Sequence, residues 1–290
     1  MGDDYLPPEL QLIAENELGE TEDGRIKALE KLNRLLDEEP ELHSRRDNLF
    51  LLRFLRVRKY NVDRATSNVK EYYGIRKEHP SVFENLVPSC VSAAARSIVM
   101  VLPQPDIHGR LVVLLPALLS GAWNPQTVSF KDVTRAMALV GDYITADPVV
   151  QTIGLVCIHD YGGFTVDKIM SVSYGKMKMV VKLLMDCLPA RTKAIHIVRE
   201  SYAFDMVYAV IRHSISKKLA ERFHFYGHNF DDLHKDMPVD MLPNEYGGLG
   251  PDPDFEAYWS GLDQAEPSFV DNNGFGYHDK GSKDIEVTAF

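Results

Sequence analysis

Cysteine is scarce. The 290-residue chain holds three, Cys90, Cys157 and Cys187, far apart and without a CxxC pair. An odd, scattered set gives no disulfide framework, so an intracellular setting is expected. Positive charge is also short. Lys and Arg number 32 against 42 Asp and Glu, a formal net charge of −10. A general nucleic-acid binder carries a basic excess, so that class is excluded, although a local basic patch is not. No apolar run reaches the roughly 20 residues a membrane-spanning helix needs. The start, MGDDYLPPEL, has no basic residues and no apolar core, so no secretory leader is expected. Leu6 stands where a myristoylation signal wants Ser or Thr. Catalytic signatures are missing too: there is no GxSxG, Walker A, HExxH, or GxGxxG after a strand.

What is present is an ordinary globular composition, 45% hydrophobic and 26% charged, enough for a sizeable core in one large or two modest domains. Residues 9–80 form the first unit. ELQLIAENELGE and GRIKALEKLNRLLDEEP carry Leu and Ile at helical spacing, with Gly19 and Gly24 flanking a break and Pro40 ending the second helix. DNLFLLRFLRVRKY follows with Asp47 as its N-cap. Leu51, Phe54 and Leu55 make its apolar stripe, and Arg53, Arg56 and Arg58 are expected to point elsewhere. NVDRATSNVKEYYGIRKEHP is another capped helix.

The pattern changes in residues 90–252. RSIVMVLP, GRLVVLLPAL, TIGLVCIHD and KAIHIVRE are short Val, Ile and Leu runs of the kind buried on both faces of a sheet. Asp106-Ile107-His108-Gly109 offers a hairpin turn between the first two, and ERFHFYG a last strand. Long helical patterns, 129–147, 165–187 and 201–223, separate the later runs. The expectation is an α/β fold with a largely parallel sheet after a small helical module. PNEYGGLGPDP is a turn-rich stop, and 253–290 reads as a polar, loosely ordered extension.

Four features invite a chemical reading. His224, His228 and His234, with Asp231 and Asp232, could ligate zinc. Gly227 breaks any helix that would align the first two, so satisfied polar groups at a strand end are the plainer reading. Asp160 follows a strand, where α/β folds place catalytic groups. Without a partner nucleophile, capping the next turn is its expected role. Strand alternation sets Leu155, Cys157 and His159 on one face, leaving one imidazole on an apolar wall. The stretch 201–222 carries Phe204, Val207, Tyr208, Ile211, Ile215 and Leu219 at i, i+3, i+4 spacing, with Arg212, Lys217 and Lys218 off that line. Such a helix packs on its sheet, lids an apolar cavity, or lies at a membrane interface. A further oddity is the basic pair Arg191 and Lys193, set just ahead of the apolar run Ile195-His196-Ile197-Val198.

DNLFLLRFLRVRKYNVDRA, GLVCIHDYGGF, LPARTKAIHIVRES, KKLAERFHFYG and LPNEYGG, in this order, resemble the CRAL-TRIO (Sec14-like) lipid-transfer family over residues 25 to 260. The likeness is nearest the branch of tocopherol-transfer, retinaldehyde-binding and clavesin proteins. The resemblance implies a mostly parallel sheet that floors a hydrophobic pocket, helices that close it, and a gate helix at 201–222. It places a phosphoinositide-binding cluster on Arg58, Arg191, Lys193, Lys218 and Arg222. Phosphate oxygens suit such cations, and an anionic membrane attracts each by about 1 kcal/mol. The plainer alternative is solvated charge or local pairing, such as Arg222 with Glu221 or Glu200.

By the same resemblance the pocket wall falls on Thr134, Met137 and Gly141. It continues on Leu155, His159 and Val180, then Leu183, Leu184, Leu188 and Ile195, and on Phe204, Val207, Val210 and Ile211 of the gate. Tocopherol-binding members have serines at Met137 and Gly141 and phenylalanine at His159, so polar contacts should differ here. Fungal relatives hold phosphatidylinositol through a Glu and a Lys, for which Glu200 and Arg212 are nearby candidates.

The implied function is a cytoplasmic monomer that carries one lipophilic molecule, such as a tocopherol, retinoid or carotenoid. It would visit endosomal or plasma-membrane surfaces, without cofactor, metal or nucleic acid. A phosphoinositide-binding trafficking adaptor is the alternative. A hydrolase using Asp160 and a histidine is a third reading.

Overall fold

The computed structural model describes residues 6–116, 123–212 and 215–278. The expectations for the first five residues and for the tail beyond His278 fall outside them.

The N-terminal helices are α1 (Pro8–Ile13), a π-helical turn Ala14–Leu18, and α2 (Glu22–Asp37). Thr21 caps α2 by accepting from the Gly24 backbone N–H, so Gly24 lies inside the helix and only Gly19 sits in the break. A short strand β1 (Leu42–His43) leads to α3 (Asn48–Val57) and α4 (Val62–Glu78). Asp47 and Asn61 cap these two helices, each accepting from the N–H three residues on. Leu51, Phe54 and Leu55 are buried as their spacing predicts. Arg53 and Arg56 are buried too, against expectation, because α3 is enclosed on all sides. Arg56 meets Glu20 and Gln151, and the Arg53 guanidinium lies 5.0 Å over the Phe50 ring.

The short helices α5 (Pro80–Phe83) and α6 (Ala93–Arg96) lead into the sheet. β2 (Met100–Val101) and β3 (Leu111–Leu115) form the expected hairpin, with Gly109 at φ 73 closing onto the Asp106 carbonyl. Then come α7 (Phe130–Ile144), α8 (Pro148–Ile153) and β4 (Leu155–Asp160).

The pattern 165–187 is not one helix. It splits into α9 (Val166–Met170), α10 (Tyr174–Lys182) and a π-turn Leu183–Cys187. The cause is local. Ser171 Oγ bonds back to the Lys168 carbonyl, and Ser173 restarts the helix by capping Lys176. β5 (Thr192–Val198) follows, then α11 (Tyr202–Ile211), α12 (Lys217–Ala220), β6 (Phe223–Phe225) and α13 (Leu233–Asp236). The 201–223 pattern is likewise two helices, with Ser216 capping the second.

The five-stranded sheet runs β2-β3-β4-β5-β6, antiparallel at β2/β3 and parallel elsewhere. It is buried on both faces, which explains its unbroken apolar runs. Val112, Leu114, Val156, Ile158 and Ala194 face one core with Tyr246 and Met241. The alternate residues face α7 and the helices after β4.

Residues 255–278 are ordered rather than loose. α14 (Phe255–Gln264) and α15 (Glu266–Asn272) bury Trp259, Leu262 and Phe269. β7 (Gly276–Tyr277) pairs antiparallel with β1. Gly276 and Tyr277 thus return to the N-terminal module. Among the described residues no helix is long and apolar enough to cross a membrane.

Candidate functional site

Register builds the site. Val113 of β3 aligns with Cys157 of β4 and Ile195 of β5, and Leu115 aligns with His159. These side chains floor two adjoining cavities of about 80 and 140 Å³. His159, Leu184, Met185 and Ile195 border both, so they form the partition. Met137 and Gly141 of α7, with Leu155 and Leu188, close the smaller lobe. Val180 of α10 and Val207 of α11 close the larger. The expected wall residues Thr134, Leu183 and Phe204 are buried but line neither lobe. Thr134 Oγ1 turns back to the Phe130 carbonyl at 2.8 Å, and Leu183 packs into the core behind. Phe204 props α11, with its ring 4.3 Å from Tyr161 and 5.7 Å from Tyr208. Val210 and Ile211 belong to α11, but their side chains fall outside the described set.

Sequence reasoning missed Val140, Ile144, Met185, Val172 and Phe223 as lining residues. Their signal was periodicity alone, which does not separate core from cavity.

Little in this chamber is polar. Burial, then the proximity of His196, pushes His159 down to about 4, so its imidazole is neutral at neutral pH. Burial pushes the Cys157 thiol up to about 12. The His159 ring makes no hydrogen bond among the described residues. Specific lipid pockets combine this kind of apolar wall with a few polar groups. The lobes are smaller than the roughly 300–1,000 Å³ of occupied pockets, so a ligand of that size requires side chains or α11 to move.

A larger cleft of about 620 Å³ lies between α4 and α10, but charged Arg58, Arg64, Glu71 and Lys182 line it. It suits an apolar ligand poorly. Arg58 faces this cleft, its Nε donating to Asn68 Oδ1 at 3.0 Å. Arg191 and Lys193 meet instead at the start of β5, where both donate to one oxygen of Glu17, at 3.0 and 2.9 Å. Gly154 makes the approach possible. At φ 96, any Cβ there would lie 2.5 Å from the Arg191 carbonyl, which accepts from the Leu155 N–H. Arg222 donates to the Thr192 carbonyl rather than to Glu221 or Glu200. Lys218 is exposed on α12.

Glu200 accepts from the Gly227 N–H with both oxygens, and Arg212 is exposed. Asp160 has the turn-capping role. It accepts from the Gly162 N–H, from Arg199 and from the Tyr246 hydroxyl. His234 bonds the Tyr246 carbonyl and His224 stacks on His196. No three metal-ligating side chains converge among the described residues.

Around the larger lobe, Val166 and Met170 of α9 and Tyr202 and Met206 of α11 are exposed, and the two helices touch.

An apolar chamber on a mostly parallel sheet, with a short helix as one wall, is the arrangement of a lipid-binding class of protein. Comparison with known proteins agrees. The family model "CRAL/TRIO domain" matches residues 95–248, and a second, "Pinta-like, UBA domain", matches 21–91. The chain belongs to the CRAL/TRIO family of lipid-binding and transfer proteins, and no catalytic family is indicated. It is 33% identical over 267 residues to "Alpha-tocopherol transfer protein-like" of Mus musculus, covering 91% of this chain and 77% of that one. It is 27% identical to "Clavesin-1" of Rattus norvegicus, covering 93% and 76%. A solved structure, "Crystal structure of Sfh5", shares the fold at TM-score 0.57 and 12% identity, covering 82% of this chain and 92% of that one.

Proposed function

We propose that the protein carries one small lipophilic molecule between membranes, a tocopherol, retinoid, carotenoid or related lipid. The observation that carries this reading is the chamber. Two adjoining lobes lie on the sheet, bordered by aliphatic and aromatic side chains, with α11 as one wall. Removing apolar ligand surface from water stabilises by roughly 25 cal/mol per Å². The neutral His159 ring, with no hydrogen-bond partner among the described residues, suits a ligand with one hydroxyl or carbonyl.

Exchange needs α11 to open. The exposed Val166, Met170, Tyr202 and Met206 would enter the apolar edge of a bilayer as it does. Arg58, Arg191, Lys193, Lys218 and Arg222 would hold an anionic, phosphoinositide-bearing surface, locally offsetting a net charge of −10. A headgroup there biases opening only as far as it binds the open state better.

The test is transfer of a fluorescent tocopherol or retinoid from donor to acceptor vesicles. The rate should rise with protein and be lost in Val207→Trp, which fills the larger lobe. No acceleration with any lipophile would contradict the carrier reading.

A second reading, a phosphoinositide-binding adaptor, is favoured by the small size of the closed lobes. Vesicle binding with no extractable lipid would select it.

A further inference from the structure

The basic pair at the start of β5 is already occupied by a carboxylate of the same chain. We propose that Glu17 is a placeholder for lipid phosphate, latching the N-terminal turn onto Arg191 and Lys193 until a membrane phosphoinositide displaces it. This inference rests on the reading of Arg191 and Lys193 as headgroup ligands.

The geometry is that of an anion site with a substitute in place. One oxygen of Glu17 takes a bond from the Arg191 fork and one from the Lys193 ammonium. These cations lie 174 and 176 residues further along the chain. The Arg191 side chain is only 8% exposed. Yet its second terminal nitrogen, Nη1, has no hydrogen-bond partner among the described residues. A buried donor without an acceptor is costly. A carboxylate, sharing one oxygen between two cations, leaves it empty. A phosphate monoester brings three strong acceptor oxygens and more negative charge, enough for both tips of the fork and the ammonium together. Arg222 is close enough for its charge to oppose that of Arg191, and a dianion would relieve that repulsion too.

The segment bearing Glu17 is suited to release. It is the π-turn Ala14–Leu18, closed by Gly19 in the left-handed conformation at φ 74. Its apolar attachment is a small cluster of Leu6, Ala14 and Leu18, with Leu10 and Tyr60, apart from the main cores. Just beyond, Glu20 is pinned by the buried Arg56. The turn is therefore fixed at Glu20 and held at Glu17 by bridges whose carboxylate is 47% exposed. Exposed bridges are weak individually, so a headgroup can outcompete them. Lys193 and Arg191 hold the Glu17 carboxyl below its ordinary value, so it is charged and competing at neutral pH.

The experiment is flotation of the full chain with phosphatidylcholine vesicles, with and without phosphatidylinositol bisphosphate. Glu17→Gln should bind phosphoinositide vesicles roughly threefold to tenfold more tightly than the parent. Glu15→Gln, which removes the same charge from the same turn away from the pair, should match the parent. In the parent, amide exchange over residues 14–18 should speed up on phosphoinositide vesicles. Unchanged affinity in Glu17→Gln, equal tightening in Glu15→Gln, or unchanged exchange would each overturn the latch. If Arg191→Ala with Lys193→Ala loses binding while Glu17→Gln changes nothing, only the latch falls. If that double variant binds like the parent, the headgroup reading falls and the latch with it. Tightening on soluble inositol trisphosphate but not on vesicles would overturn the membrane assignment.

Discussion

Arg56 and Glu20 form a doubly hydrogen-bonded ion pair, both bonds 2.8 Å, with side chains 0% and 1% exposed. Gln151 of α8 accepts the third Arg56 bond at 2.7 Å. The cluster ties the turn after Leu18 and helix α3 to the helix that leads into β4. Breaking a buried pair by removing one partner costs about 3–5 kcal/mol, because the other charge is left uncompensated. Glu20→Gln or Arg56→Met should lower the unfolding free energy by about that much in urea titrations. Glu20→Leu combined with Arg56→Met should recover most of the loss. Strictly additive losses would contradict the pairing.

The sheet histidines set an acid limit. His196 is buried and, like His159, is pushed down to about 4, mainly by burial. Their folded-state values lie below the ordinary 6.5, so the unfolded chain binds more protons between those limits. Their contribution to stability is complete above about pH 6.5 and is lost as pH falls toward 4. The loss should be a few kcal/mol for the two together, since each tenfold drop in proton affinity is worth about 1.4 kcal/mol. Urea midpoints measured from pH 7.5 to pH 4 should fall through that window. His196→Asn should flatten the slope, and an unchanged slope would contradict this origin.

Gly141 is a shape constraint on the smaller lobe. A Cβ there would sit 2.6 Å from Leu188 Cδ1. Gly141→Ser should push Leu188 into the cavity and destabilise by about 1–3 kcal/mol, as overpacking does. It should also reduce retention of bound lipid. Adding Leu188→Ala should restore both melting temperature and retention. No rescue would place the strain elsewhere.

The exposed apolar rim makes a separable prediction. Met170 and Tyr202 are 79% and 76% exposed. Met170→Asp with Tyr202→Asp should weaken vesicle association by tenfold or more, since each apolar side chain fully withheld from the bilayer forfeits about 1.5–3 kcal/mol. Lipid already inside should stay. Loss of bound lipid in solution would mean that these side chains hold the gate shut instead.

The strands, the hairpin at Asp106–Gly109 and the caps at Asp47 and Asn61 were legible because each rests on neighbours in sequence. The burial of Arg53 and Arg56 is not legible, for the opposite reason. Arg56 finds Glu20 and Gln151, which lie 36 and 95 residues away, and no helical pattern reveals such partners. The C-terminal return is not legible in the sequence because Trp259, Leu262 and Phe269 are thinly spaced among polar residues. The chamber floor could be drawn from strand alternation. Depth was not legible: the resemblance sets Thr134 and Leu183 on the wall with Met137, although they sit behind it. Glu17 gave no signal, since an acidic residue on an isolated turn reads as solvated charge.

The chamber should hold one lipophile. Native mass spectrometry of the purified chain, offered a panel of tocopherols, retinoids, carotenoids and phospholipids and then extracted with organic solvent, tests it most directly. One hydrophobe should be retained per chain and displaced in Val207→Trp. A chain that stays empty against the whole panel while still binding phosphoinositide vesicles would contradict it.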